Sequence, residues 1–88
     1  MYKMYKILTN HDGVLCIECD NENIAYGYYS PGDQCWLGYL NHDDEEVQQR
    51  IAADTEEQLI FKLKLLVIDI GHDESILDIE YPTEEARL

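Results

Sequence analysis

The residues best suited to chemistry are three histidines, each followed by an aspartate where an apolar segment ends. The pairs are His11-Asp12, His42-Asp43 and His72-Asp73. Imidazole nitrogens and carboxylate oxygens bind Zn²⁺ and related divalent ions, so three turns that met in space would offer a metal site. Because Asn, Asp and Gly beside these histidines are ordinary turn residues, we expect turns rather than ligands here, with no bound metal and no cofactor.

The four residues Cys16-Ile17-Glu18-Cys19 have the CxxC spacing that zinc knuckles and redox sites use. Such sites form where the chain turns and brings both sulfurs together, whereas this segment alternates as a strand does. Side chains three positions apart on a strand point to opposite faces of the sheet. We therefore predict that Cys19 lies in the core and Cys16 on the other face, with Cys35 as a small buried residue.

Motifs that identify enzymes by their spacing are absent from this chain. It has no glycine-rich phosphate loop ahead of a helix, no GxSxG and no HExxH. Nothing next to any cysteine supports cysteine–histidine catalysis. We therefore expect no catalytic residues and no enzyme.

The excess of acidic residues is the most unusual feature of the composition. Nineteen Asp and Glu stand against six Lys and Arg in 88 residues, which gives a formal net charge of −13 at pH 7. Self-repulsion of this size destabilises a compact fold. Two explanations stay open, a salt-adapted proteome or a surface that meets a basic protein partner. Direct binding to nucleic acid or to an anionic membrane is disfavoured, because phosphate contacts need Lys and Arg.

Two groups of side chains are candidates for a partner-binding surface. Carboxylates are dense between residues 43 and 57, and helix capping explains only part of them. Aromatic residues are dense between residues 26 and 40, and Tyr and Trp often anchor interfaces. The predicted partner-binding residues are Asp43, Asp44, Glu45, Glu46, Glu56, Glu57, Tyr28, Tyr29 and Trp36. Alternatively, the aromatic residues pack within the protein or pair with a second copy in a homodimer.

Turn residues divide the first half of the chain into four segments that are typical of strands. Asp12-Gly13 and Ser30-Pro31-Gly32-Asp33 are strong turn signals, and apolar and polar residues alternate between the turns. The four predicted strands are residues 2–9, 14–20, 24–29 and 34–40. Short strands separated by turns predict an antiparallel meander.

Helical spacing follows the fourth strand. Asn41 or Asp43 can cap a first helix, on which Val47 and Ile51 share a face. A second helix begins with a capping box at residues 55–58. Its wide apolar stripe is formed by Leu59, Ile60, Leu63, Leu66 and Val67, and Lys62 and Lys64 lie away from the centre of that stripe.

The end of the second helix stays open, because residues 65–70 are β-branched enough to form a strand instead. Residues 75–81 alternate and predict a fifth strand. The predicted fold is α+β, an antiparallel sheet of about five strands in the order ββββααβ with two helices packed on one face. We expect residues 1–82 to form a single domain and residues 83–88 a short polar tail.

Location and function are expectations from composition. No run reaches 18 apolar residues, no signal peptide is recognised, and three cysteines fit reduced thiols, so we expect a cytoplasmic protein. The composition resembles that of small phage proteins that block nucleic-acid-handling enzymes, such as anti-restriction and anti-CRISPR proteins, which implies a nucleic-acid mimic that occupies a basic site. The alternatives are an immunity protein or antitoxin that neutralises a cationic toxin, and a small metal-dependent or thiol enzyme.

Overall fold

Five antiparallel strands form the sheet of this protein, whose computed structural model describes residues 3–10, 12–41 and 50–81. The strands are β1 (Tyr5–Thr9), β2 (Leu15–Cys19), β3 (Glu22–Ser30), β4 (Cys35–Leu40) and β5 (Arg50–Ala53). Each strand pairs with the next along the chain, so β1 and β5 are the edges of the sheet within these residues. The predicted α+β class and the five-stranded antiparallel sheet are confirmed, and β1 to β4 overlap the four strands predicted first.

Local turn chemistry sets the first two strand connections. Between β1 and β2, the Asn10 side-chain oxygen accepts hydrogen bonds from the backbone N–H groups of Asp12 and Val14, at 2.9 and 3.1 Å. Between β2 and β3, the connection is Asp20 and Asn21, whose φ angles are 51° and 72°. Asp and Asn tolerate this left-handed region, and positive φ at both positions suits the twist of a hairpin.

The helix α1 (Glu56–Asp69) packs on one face of the sheet. The side chain of Thr55 accepts a hydrogen bond from the backbone N–H of Gln58 at 3.1 Å, and the Gln58 side-chain oxygen accepts one from the backbone N–H of Asp54 at 3.1 Å. The predicted capping pair is therefore used, with the return bond displaced by one residue. The helix continues to Asp69, so most of the segment 65–70 is helix and not strand.

The core lies between α1 and the face of the sheet beneath it, named here the helix-bearing face. Three strand residues, two leucines of α1 and two other aliphatic residues have essentially no exposed surface. They are Ile7, Leu15, Ile17, Leu59, Leu63, Val67 and Ile76. The predicted burial of Leu59 and Leu63 is confirmed, whereas Leu66 is half-buried.

Two glycines let α1 approach the sheet closely. Gly27 of β3 and Gly38 of β4 are paired, and Leu59 lies over both. A Cβ atom at Gly27 would come within 2.6 Å of the Leu59 side chain, and one at Gly38 within 2.7 Å. Carbon atoms in good contact are about 3.5–4.0 Å apart, so a Cβ atom at either position would require Leu59 to shift.

The opposite face of the sheet, named here the far face, carries the other set of alternating side chains. The strand register aligns Cys16, Tyr26 and Tyr39 in one row across β2, β3 and β4. Tyr28 is paired with Leu37 beside that row. The tyrosines of this face are half-buried, whereas Leu37 is buried.

The prediction of a helix after residue 41 is wrong for residues 50–53, the part of it that the structure describes. Residues 42–49, which include Asp43 and Val47, lie outside the described residues, and residues 50–53 form β5. Ile51 pairs with Gly38 and Ala53 with Trp36. Apolar residues two positions apart satisfy a strand beside β4, and this pairing outweighs the weak helical signal from two residues four positions apart.

The strand predicted over residues 75–81 is also wrong. Residues Glu74–Asp78 form a 3-10 helix, and the Asp73 carboxylate caps it by accepting from the backbone N–H of Ser75 at 3.0 Å. Ile76 is fully buried and Ile79 partly buried, and this spacing of three is the period of a 3-10 turn. The order is five strands, α1 and a 3-10 helix, rather than ββββααβ with two α-helices. The predicted tail, residues 83–88, lies outside the described residues.

Gly38→Ala tests the close contact between α1 and the sheet. The added methyl group would overlap Leu59 and Leu63, and we expect the free energy of unfolding to fall by about 1–3 kcal/mol, the usual cost of overpacking. Gly32→Ala is the matched control, because no atom lies within 4 Å of a Cβ atom placed there. Urea unfolding measures both variants, and equal stability of the two would show that the leucines move aside without cost.

Candidate functional site

The predicted partner-binding residues are divided among three parts of the structure. Glu56 and Glu57 lie in the first turn of α1. Tyr28 lies on the far face, whereas Tyr29 and Trp36 lie on the helix-bearing face, where their rings meet edge to face with centroids 5.7 Å apart. The other predicted residues lie outside the described residues, and they are Asp43, Asp44, Glu45 and Glu46.

The tyrosines of the far face pack against one another. Tyr26 and Tyr28 both stack on Tyr39, with ring centroids 5.2 and 6.1 Å apart. The hydroxyl oxygens of Tyr28 and Tyr39 are 3.4 Å apart, and this hydrogen bond, followed by desolvation, raises the pKa of Tyr28. Aromatic pairs across neighbouring strands stabilise a sheet, so packing within the sheet explains this cluster.

Cysteine chemistry gains no support from the structure. Cys19 belongs to the core cluster and Cys16 lies on the far face, as the strand pattern predicted, whereas Cys35 is half-buried rather than buried. Burial raises the pKa of the Cys16 and Cys19 thiols, and the charge of a neighbouring carboxylate raises each further. Both thiols therefore stay protonated near neutral pH, and a protonated thiol is a poor nucleophile.

His72 is held by hydrogen bonds within the fold. The Tyr5 hydroxyl accepts from the backbone N–H of Asp73 at 2.9 Å and lies 3.2 Å from Nδ1 of His72. The Tyr5 hydroxyl thus links the ring of His72 to the main chain at Asp73. Burial lowers the pKa of His72, and the charge of Lys3 lowers it further.

Two histidines of the three predicted His-Asp turns, His11 and His42, lie outside the described residues. Among the residues that the structure describes, no group of three or more His, Cys, Asp or Glu side chains is placed to hold a metal ion. The one described histidine, His72, has Nδ1 engaged with Tyr5. His72 therefore takes part in a hydrogen bond within the fold.

An open groove of about 660 Å³ lies between α1 and the segment 77–81, and we name it the α1 groove. Its lining residues are Glu56, Glu57, Ile60, Phe61, Lys64, Leu77, Asp78, Ile79, Glu80 and Tyr81. Two large apolar side chains of this lining remain exposed, Phe61 at 56% and Leu77 at 41%. The lining of the α1 groove thus combines exposed apolar side chains with four carboxylates.

Lys64 joins the two walls of the α1 groove. Its side chain is buried, and its ammonium group donates hydrogen bonds to the carbonyl oxygens of Leu77 at 3.4 Å and Ile79 at 2.7 Å. Burial lowers the pKa of Lys64, and the charge of Asp78 opposes this shift. Lys64 was predicted to lie away from the centre of the apolar stripe, and the structure adds that its stem is buried there while its head satisfies main-chain carbonyls.

The segment from residue 54 to residue 81, named here the helical layer, is strongly acidic. It holds two lysines, and both donate to main-chain oxygens, since the Lys62 ammonium group lies 2.8 Å from the carbonyl oxygen of Ala52. Its eight carboxylates belong to Asp54, Glu56, Glu57, Asp69, Asp73, Glu74, Asp78 and Glu80. Asp69 stands in the last turn of α1, where no basic residue is present and a negative charge opposes the helix dipole.

Comparisons with known proteins give no functional information. No protein-family model, no curated protein and no solved structure matches this chain. Within the described residues, no helix has the length and apolar character needed to cross a membrane.

Asp69→Lys should stabilise the protein. A positive charge in the last turn of α1 interacts favourably with the helix dipole, and we expect a gain of about 0.3–1 kcal/mol at low salt. Glu57→Lys makes the same change of charge in the first turn, where it should be unfavourable by a similar amount. Urea unfolding of both variants separates the dipole from general repulsion, because the two variants make the same change of net charge at opposite ends of α1, and high salt should reduce both shifts. Equal shifts for the two variants would contradict a role for the dipole.

Acidification should weaken the fold through His72. Its pKa is lower in the folded state than the ordinary value of 6.5, so the unfolded chain binds more protons once the pH falls below that value. The contribution of His72 to the free energy of unfolding is therefore fully present above about pH 6.5 and is lost as the pH falls toward the folded-state pKa. Urea unfolding of the parent and of His72→Gln at a series of pH values measures this. The parent should lose more stability than the variant, and identical pH dependence would contradict the expectation.

Proposed function

We propose that this protein is a small acidic binding protein that inhibits a nucleic-acid-binding enzyme by occupying its basic site. The charge of the helical layer is the observation that carries the proposal, since it holds eight carboxylates and its two lysines donate to main-chain oxygens. Carboxylates spaced on a rigid surface can take the place of phosphates in a groove lined by Lys and Arg. Complementary charge then gives fast and selective association.

The placement of these charges supports binding more than folding. Thr55 caps α1, so the helix start needs at most one or two acidic residues beside it. Asp69 opposes the helix dipole at the other end. A net charge of −13 adds self-repulsion that the folded state must overcome. A cationic partner would offset both costs.

Competition with nucleic acid tests the proposal. The immobilised protein is used to capture proteins from a host lysate, which are then eluted with duplex DNA, with RNA, or with sodium chloride of equal ionic strength. We expect nucleic acid to release a nucleic-acid-binding enzyme that salt alone leaves bound, because phosphates and carboxylates compete for the same Lys and Arg. Adding the free protein to that enzyme should then inhibit it. Release by salt alone would indicate a cationic partner of another kind, such as a toxin, and would contradict the proposal.

Charge-reversed variants locate the surface on the protein. The test variant combines Glu57→Lys, Asp69→Lys and Glu74→Lys, and the control variant combines Asp12→Lys, Glu22→Lys and Asp33→Lys, all at exposed positions. We expect the test variant to associate with the captured enzyme about tenfold more slowly than the control, because charge near an interface acts mainly on the association rate. Equal rates for the two variants would show that net charge acts without a defined surface.

A further inference from the structure

Phe61 and Leu77 are large apolar side chains that folding leaves uncovered in the α1 groove. Phe61 is 56% exposed and Leu77 41% exposed, although Ile60, next to Phe61 in the same lining, is only 7% exposed. Phe61 belongs to α1 and Leu77 to the 3-10 helix, so the two stand on opposite walls. Apolar side chains that share one concave surface and are bordered by polar residues are typical of an interaction site.

Carboxylates border this apolar surface on both walls. Glu56 and Glu57 line it from α1. Asp78, at the end of the 3-10 helix, and Glu80, which follows it, line the other wall. Lys64, the one basic side chain among the described residues of the lining, donates to two main-chain carbonyl oxygens. A negatively charged ligand such as a phosphate would be repelled here. A ligand that carries Lys or Arg beside an apolar group would complement both the carboxylates and the exposed apolar side chains of the groove.

The groove is held in shape by contacts within the described residues. Lys64 ties α1 to the carbonyls of Leu77 and Ile79, and Ile76, the residue before Leu77, is fully buried. The Tyr81 hydroxyl contacts the Thr9 hydroxyl of β1. A preorganised site loses less entropy on binding. The volume of about 660 Å³ falls within the range of roughly 300–1,000 Å³ for ligand sites, which suits a short peptide segment.

We infer that the α1 groove binds a short segment of a partner protein in which a large apolar side chain is flanked by Lys or Arg. The inference deepens the proposed function and rests on it for the existence of a cationic partner. The apolar side chain packs between Phe61 and Leu77, and the flanking cations approach the carboxylates on the two walls. The carboxylates elsewhere in the helical layer speed the encounter, and the groove holds the partner after contact.

Two synthetic peptides of equal length and charge test the groove, one composed of Leu and Lys and the other of Ser and Lys. Amide chemical shifts of the isotope-labelled protein report where each peptide binds. We expect the Leu–Lys peptide to shift residues 56–64 and 77–81 and to bind about tenfold more tightly, because burial of one leucine contributes at least that factor. Equal affinity for both peptides, or shifts centred on the far face, would overturn the inference.

Matched alanine variants separate the groove from general charge attraction. Phe61→Ala and Leu77→Ala should each weaken the Leu–Lys peptide about tenfold, as loss of an interface anchor does. Leu65→Ala is the control, because Leu65 is 46% exposed on the same helix but does not line the groove. Melting temperatures confirm that each variant is folded, and Phe61→Leu should restore most of the binding. Equal weakening by the control variant would overturn the inference.

The peptide experiment and the capture experiment can fail separately. If the peptide binds the groove but no captured enzyme is released by nucleic acid, the inference that the groove binds such a segment is supported and the proposed function is contradicted. If Phe61→Ala abolishes peptide binding yet captures the same enzyme with an unchanged dissociation rate, the proposed function stands. The groove is then not the surface that holds the partner, and the inference is overturned.

Discussion

The contact between Leu59 and the paired glycines Gly27 and Gly38 sets the distance between α1 and the sheet. The Leu59 side chain lies where Cβ atoms at these two positions would be, and this allows α1 to pack closely on the sheet. Leu63 and Val67 follow on the same face and are fully buried. A chain of 88 residues buries a limited share of its surface, so close packing of α1 on the sheet matters in a fold that also carries strong repulsion among its carboxylates.

The position of the α1 groove follows from this contact between α1 and the sheet. Once Leu59 faces the sheet, the next residues, Ile60 and Phe61, turn toward the side of the helix, and Lys64 lies one turn after Ile60 on that side. Lys64 then meets the carbonyls of Leu77 and Ile79. The second wall of the groove is therefore held by a residue whose position follows from the core.

Features governed by local sequence could be predicted, and features governed by distant partners could not. The capping pair of Thr55 and Gln58 and the buried face of Leu59 and Leu63 depend on neighbours within a few residues. The strand β5 depends on pairing with β4. In the sequence alone, its alternation of apolar residues is too short to distinguish a strand from a helix. Lys64 is similar, because its acceptors are 13 and 15 residues away. The acidic character of the candidate site is visible in the composition, but the groove that places Phe61 opposite Leu77 depends on where the last segment folds back.

The same carboxylates that attract a cationic partner also act against self-association. Exposed Phe61 and Leu77 would favour pairing of two copies through the α1 groove. In such a pair, Glu57 and Glu80 of both copies would meet at the contact, and like charges placed together in an interface cost several kcal/mol. The acidic border thus raises the free energy of a homodimer through this groove and lowers that of a complex with a basic segment. Specificity is a difference between two affinities. The carboxylates around the apolar side chains of the groove increase that difference, because they weaken the homodimer and strengthen the complex with a basic segment.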